Sequence, residues 1–216
     1  MTTTTRRGPS LASAAAEFGR HPTPWLIGAT LLGAMVARAL VGDWQATDAL
    51  LLLIVLASFP FVEWLIHVCL LHWRPRRVLG ISIDPLVSRK HRDHHVNPRD
   101  VPLIFIPWQV LTWLLPVLIA IALFAFPRTG LGLTFLVCVS AVGLTYEWTH
   151  YLIHTDYKPR SRVYRAVWQN HRRHHFKNEH YWFTVTTSGT ADRVLGTHPD
   201  PQQVPTSPTA RNLHSV

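Results

Sequence analysis

The chain has 216 residues, of which 48% are hydrophobic, with nine Trp and a formal charge of +9. That length suits one domain of ordinary size, and two cysteines, Cys69 and Cys138, give no disulfide framework and read as packing residues. The basic excess would suit nucleic acid, but its placement around long apolar blocks excludes that partner and points to a membrane.

Residues 1–20 are expected to be a flexible N-terminal stretch. Met1 to Ser10 is Thr-rich, and the apolar run after Arg6-Arg7, Leu11 to Phe18, is broken by Glu17, so no cleaved signal is expected. Four apolar blocks follow: Trp25 to Val41, Asp48 to His67, Pro107 to Phe126 and Leu131 to Leu152. A hydrocarbon core of about 30 Å needs roughly 20 helical residues, so each is read as a transmembrane helix. Four such blocks leave too few amphipathic segments to cover them in a soluble protein. The first carries Arg38 near its end, where a long side chain can snorkel to the interface.

Basic residues then orient the helices. Arg6, Arg7 and Arg20 precede the first block. Arg74, Arg76, Arg77, Arg89, Lys90, Arg92 and Arg99 separate the second from the third, and Lys158, Arg160, Arg162, Arg165, Arg172, Arg173 and Lys177 follow the fourth. Gly42 to Thr47 has no Lys or Arg, and Pro127 to Gly130 has only Arg128. The positive-inside rule therefore puts both termini and the middle loop in the cytosol. Residues 197–216, rich in Pro, Thr and Gln, are expected to form a flexible tail.

Ten of the 14 histidines fall in four clusters: His67 and His72; His91, His94 and His95; His150 and His154; and His171, His174 and His175. Spacings of three and four residues put side chains on one helix face, where they can aim at a common point. His67-x4-His72 fits a regular helix less well, since five residues advance about 500°. One of that pair is expected at a helix end and the other just past it. Val163, Val167, His171 and His175 follow one another at i, i+4 steps, an odd core face but an ordinary way to deliver ligands.

Imidazole is the commonest protein metal ligand, and ten exceed the four to six that one ion takes, so two metals are implied. The second and fourth blocks both run toward the cytosol, which brings His67 and His154 to the same mouth as the loop and tail clusters. Zinc there would suit hydrolysis by a metal-bound hydroxide. Iron would suit oxygen activation and attack on an unactivated C–H bond, and composition leaves both open. A non-catalytic metal-binding membrane protein is a third reading, although a carrier should hold its ligands near the bilayer midplane.

The order His-x4-His, His-x2-His-His, His-x3-His, His-x2-His-His resembles the fatty acid hydroxylase and sterol desaturase superfamily of membrane non-haem di-iron oxygenases. The 18 residues between His72 and His91 are most similar to the fatty acid 2-hydroxylase branch. Local matches include Ile66 to His72, Tyr146 to Tyr151, His174-His175-Phe176, and Phe183 to Thr187 with Asp192. The resemblance covers roughly Phe61 to Gly196 and implies an all-α membrane domain, residues 21–196, with four transmembrane helices under a cytosolic helical cap. It implies two iron ions held by the ten histidines, with zinc able to occupy purified samples. The implied reaction is O2-dependent hydroxylation of a fatty acyl lipid. A sterol or carotenoid hydroxylase or desaturase is the alternative.

No His-Pro-Gly-Gly haem motif of a cytochrome b5 domain is found, so electrons are expected from a separate protein such as a ferredoxin or cytochrome with its reductase. Glu147 stands where the resembled enzymes have an aspartate. Glu63 and Glu147, three or four residues before His67 and His150, either hold a histidine's outer ring nitrogen or pair with a nearby Arg. Asp100 and Asp192 fall where the family has aspartates and are candidates for the same duty. His180 reads as solvated or hydrogen-bonded rather than as an extra ligand, and His21, His198 and His214 as solvated. Trp148, Tyr151, Tyr181, Trp182 and Phe183 either line an acyl pocket or belong to an interfacial aromatic belt.

Overall fold

The structure, a computed structural model, describes residues 9–214. The reading of residues 1–8, with Arg6 and Arg7, and that of residues 215–216 lie outside the described residues. Helices α1 (Leu11–Phe18), α2 (Pro22–Val41) and α3 (Ala46–Ile66) lead into a π-helical turn, His67–Leu71. A hairpin of β1 (Arg76–Val78) and β2 (Ile81–Ile83) follows. Then come α4 (Leu86–Val96), α5 (Val101–Ile104), α6 (Trp108–Phe124), α7 (Thr129–His154), α8 (Arg162–Phe176) and α9 (Thr190–Val194).

Among the described residues, four spans are long and apolar enough to cross a membrane: Pro22–Val41, Ala46–Leu71, Val101–Phe124 and Thr129–His154. They coincide with the four sequence blocks. Only 11% of the second span is buried within the protein, while 39% of the fourth is, so α7 is the central helix and α3 faces outward. Leu50, Leu53 and Ile54 are more than half exposed. Leaving such side chains in water would forfeit about 1.5–3 kcal/mol each, whereas lipid accommodates them. Close packing inside the bundle depends on small residues. A Cβ at Gly132 would lie 1.7 Å from the Ala122 carbonyl oxygen, so α6 and α7 meet backbone to backbone there.

Arg38 does not snorkel. It is 2% exposed, at the bundle end away from the histidines. Its Nε donates to Thr134 Oγ1 at 2.9 Å, and its guanidinium lies 3.2 Å from Asp48 and 3.1 Å from Asp43. Trp44 covers it at 3.5 Å, and Arg128 pairs with the same two aspartates. A charge held between two aspartates is tolerable out of water, and the partners come from α3, α7 and the α2–α3 loop.

Three further differences from the sequence reading occur. Residues 11–18 are helical rather than flexible: Ser10 caps the Ala-rich α1 by accepting from the Ser13 amide at 3.1 Å, and Phe18 packs on Trp148 and Tyr151. The helical fold admits one hairpin, because Leu79 and Gly80, with φ of 52° and 81°, make the two-residue turn that strands need. Residues 197–214, expected to be a flexible tail, pack on the histidine end of the bundle and bury Val204, Ala210 and Leu213.

Candidate metal centre

All ten cluster histidines meet at one end of the bundle. They form two groups, His67, His72, His91, His95 and His174, and His94, His150, His154, His171 and His175, in each of which one nitrogen from every ring lies within 4.8 Å of the others. His72 is partly buried and the others are buried. The groups abut through His95 and His175, whose rings stack at 4.1 Å.

The π turn solves the spacing problem of the first pair. Its i to i+5 bond, His72 N to His67 O at 3.0 Å, widens the turn so that five residues return to the same side, with the two rings 5.0 Å apart. His67 opens the turn and His72 lies just past it, as the helix-end reading expected. Ser88, on α4, donates to the Leu70 carbonyl at 2.6 Å, which also accepts from the Trp73 amide at 3.2 Å, and so ties α4 to the irregular turn. Helix α4 supplies histidines to both groups: His91 and His95, four apart, face the first, and His94 faces the second. Helix α8 divides likewise, with His174 on one side and His171 and His175 on the other.

Hydrogen bonds fix which nitrogen faces inward. Carbonyl oxygens only accept, so His67, His95 and His174 donate from Nδ1 to Phe183, Ala210 and Tyr181 at 2.6, 2.8 and 2.9 Å. His150 donates from Nδ1 to Ile104 at 2.8 Å. Each of these rings therefore keeps an unprotonated Nε2, directed into the cluster. There Nε2 atoms crowd at 3.1 Å between His67 and His91 and between His72 and His174, and at 3.0 Å between His171 and His175. The His150 Nε2 is buried with no hydrogen-bond partner. Converging lone pairs in a buried space are what a cation requires, so the residues fit two metal ions. Protonation would not suit them. Burial, followed by the proximity of other histidines, holds His72, His91, His94, His95, His171, His174 and His175 well below the ordinary imidazole value.

The four candidate carboxylates occupy different positions. Glu63 touches no imidazole. It accepts from the Val185 and Thr186 amides at 2.6 and 3.0 Å and from Thr186 Oγ1 at 2.6 Å, and so pins the segment whose Phe183 carbonyl holds His67. Glu147 repeats the arrangement: it accepts from the Ile106 amide at 2.9 Å and Thr23 Oγ1 at 3.2 Å, beside the Ile104 carbonyl that holds His150. Asp192 accepts from the Phe183 and Thr184 amides at 2.8 and 3.0 Å. Asp100 is exposed at the start of α5, with no capping bond from its side chain, so the duty expected of it beside a histidine is not seen.

Three of the five aromatic candidates lie inside the protein rather than in an exposed belt, while Trp148 and Tyr181 are half-buried. Tyr151, Trp182 and Phe183 are buried, and the Phe183 ring lies 5.5 Å from His67 and 5.2 Å from His174. His180 is largely exposed, 3.6 Å from Glu179, and joins neither group. Sequence reasoning missed the carbonyls of Ile104, Tyr181, Phe183 and Ala210, since a backbone acceptor leaves no mark on residue type. It also missed His214, whose Nε2 donates to the His72 carbonyl at 3.1 Å, and Glu179, a 2% exposed acid beneath residues 207 and 209. His21 is stacked on Phe105 at 4.4 Å rather than solvated.

Comparison with known proteins gives two matches of different kinds. The model of the family described as fatty acid hydroxylase matches residues 51–197, which hold all ten clustered histidines. A solved structure of full-length scs7p, with only the hydroxylase domain visible, superposes with a TM-score of 0.66 at 21% identity, over 85% of this chain and 69% of that one. At that identity the likeness shows the fold. Curated protein sequences give no match.

Proposed function

The chain belongs to the fatty acid hydroxylase family, and from that premise we propose that it is a membrane non-haem di-iron oxygenase that hydroxylates a C–H bond of a fatty acid or fatty acyl lipid. The observation that carries the reading is the division of ten imidazoles, nine of them buried and His72 partly so, into two groups of five at one end of four apolar helices. Five nitrogen donors exceed the four of a closed tetrahedral zinc site and suit an ion of higher coordination number such as iron.

The balanced reaction takes R–H, O2, two electrons and two protons to R–OH and water. Two bound irons would supply the activation of O2 at the cost of those electrons. The chain's own residues do the rest. The Nδ1 bonds hold the rings in one tautomer, Glu63 and Glu147 hold the carbonyls in place, and burial excludes water from the reacting space. The lipid's apolar chain is supplied from the bilayer, to which the four spans are open.

The 18-residue interval between His72 and His91 supports the fatty acid 2-hydroxylase branch. The distribution of Lys and Arg supports a cytosolic metal site, and we assign the electrons to a separate donor, such as a ferredoxin or cytochrome with its reductase.

Lipid mass spectrometry of cells expressing the chain with added iron tests the proposal. Iron must be supplied because zinc binds nitrogen sites more tightly than ferrous iron. Hydroxylated acyl chains are expected, absent in His94→Ala and His174→Ala. Altered sterols or carotenoids with unchanged acyl chains would overturn the fatty acyl assignment. Full activity in both variants would overturn the metal assignment.

A further inference from the structure

The family match ends at residue 197, yet the chain beyond it returns to the histidines. Ala210, 2% exposed, offers its carbonyl to His95 Nδ1 at 2.8 Å, and His214 Nε2 donates to the His72 carbonyl at 3.1 Å. The segment is tied down just before these contacts. Ser207 Oγ donates to Glu179 Oε1 at 3.0 Å, Thr209 Oγ1 donates to the same oxygen, and the Ser207 amide donates to the Lys177 carbonyl at 2.7 Å. Val204 and Leu213 are buried on either side.

Both histidines that this segment touches, His72 and His95, belong to the first group. The Ala210 carbonyl fixes the Nδ1–H tautomer of His95 and leaves its Nε2 lone pair facing His91, 3.2 Å away. Loss of that acceptor would free the ring to rotate and exchange tautomers, and loss of such outer partners costs about 10–100-fold in metal affinity.

We propose that residues 204–214 are a strap that positions His95 and His72, so that the metal held by the first group depends on it and the metal held by the second group does not. Glu179 is the strap's anchor, a positioning residue that acts through Ser207, Thr209 and Ala210. This inference rests on the reading of the ten histidines as a two-metal centre.

The test uses the full chain purified in detergent and loaded with Zn2+ as the probe, with zinc counted per chain and its release to a chelator followed in time. The wild type should hold two zinc ions, both released slowly. The double variant Ser207→Ala with Thr209→Val removes both hydroxyls from Glu179, and Ala210→Leu wedges the strap away from His95. In each, one zinc should leave about 10-fold faster or more while the other keeps its wild-type rate. Thr209→Ser, which keeps the hydroxyl, should behave as wild type. Two zinc ions in the wild type with no selective change in the variants, or with both released together, would overturn the strap alone. Fewer than two in the wild type would overturn the two-metal reading itself.

Discussion

The two histidine groups are built by different means. The second takes all five of its rings from regular helices: His94 from α4, His150 and His154 from α7, and His171 and His175 from α8. The Nδ1 atoms of His94, His171 and His175 are buried there without hydrogen-bond partners, so helix geometry and packing alone aim those rings. The first group draws two rings from the π turn and its end, and three of its five rings are held by carbonyls of non-helical chain, those of Tyr181, Phe183 and Ala210. Rigidity is thus largely intrinsic to the second group, where His150 leans on the Ile104 carbonyl, and largely borrowed by the first. The first should be the more easily disturbed from a distance, and the second through fewer outside contacts.

Direct removal of a donor is the strongest perturbation. His91→Ala should take away the first group's metal and His171→Ala the second's, each leaving about one ion per chain by elemental analysis and hydroxylation below detection. Loss of both ions from His171→Ala, with one retained by His91→Ala, would mean that the first site is organised by the second. Acid acts on both groups at once. In the unfolded chain a histidine takes up a proton near pH 6.5, whereas the buried histidines of α4 and α8 stay neutral well below that. Below pH 6.5 the unfolded state therefore binds more protons, and the stability of the metal-free protein should fall as pH falls through that value toward the lowered folded-state values. Melting of the metal-free chain in detergent at pH 8 and pH 5.5 checks the sign. A higher melting temperature at the lower pH would contradict the burial of neutral rings.

Removal of a pinning carboxylate should be felt next, and unequally. Glu63 satisfies three donors around residues 185–186 and Glu147 satisfies two, one of them the Ile106 amide. An unsatisfied buried donor costs about 1–3 kcal/mol, so Glu63→Ala should destabilise more than Glu147→Ala in thermal unfolding, and the Gln variants should restore part of the loss. Faster metal release should follow at the first group for Glu63, through Phe183 and His67, and at the second for Glu147, through Ile104 and His150. The reverse assignment would break the link between each acid and the carbonyl beside it.

The helices and the histidines were legible in the sequence because both are periodic. Twenty apolar residues in a row cannot be covered by a chain of this length, and His-x2-His-His admits one helical face. The gap of five between His67 and His72 even signalled an irregular turn, although a helix end was the simpler reading and the π turn a refinement of it. What the sequence did not disclose is how the rings are held. Glu63 and Glu147 stood out by their distance from His67 and His150, but neither holds a ring nitrogen or pairs with an Arg; each instead accepts from a backbone segment more than 40 residues away in sequence. The Pro- and Thr-rich composition of residues 197–214 spoke for flexibility. Its three buried apolar side chains are too sparse to show a pattern, and its contribution at Ala210 is a carbonyl that every residue owns.

The smallest expected effect separates two aspartates that the sequence treated alike. Asp192 gathers the Phe183 and Thr184 amides and Thr197 Oγ1, at 2.8, 3.0 and 2.8 Å, in a fully buried position. Asp192→Asn keeps one acceptor but turns an amide group toward donors, which should cost about 1–3 kcal/mol and loosen the Phe183 carbonyl from His67. Asp100 lies exposed at the start of α5, where its carbonyl, not its carboxylate, accepts from the Leu103 amide at 2.9 Å. Asp100→Asn should therefore stay within about 0.5 kcal/mol of the wild type, with metal content and hydroxylation unchanged. A fall in second-group metal in Asp100→Asn would show that this carboxylate reaches the histidines in the working enzyme, and it would make the helical group as dependent on its surroundings as the first.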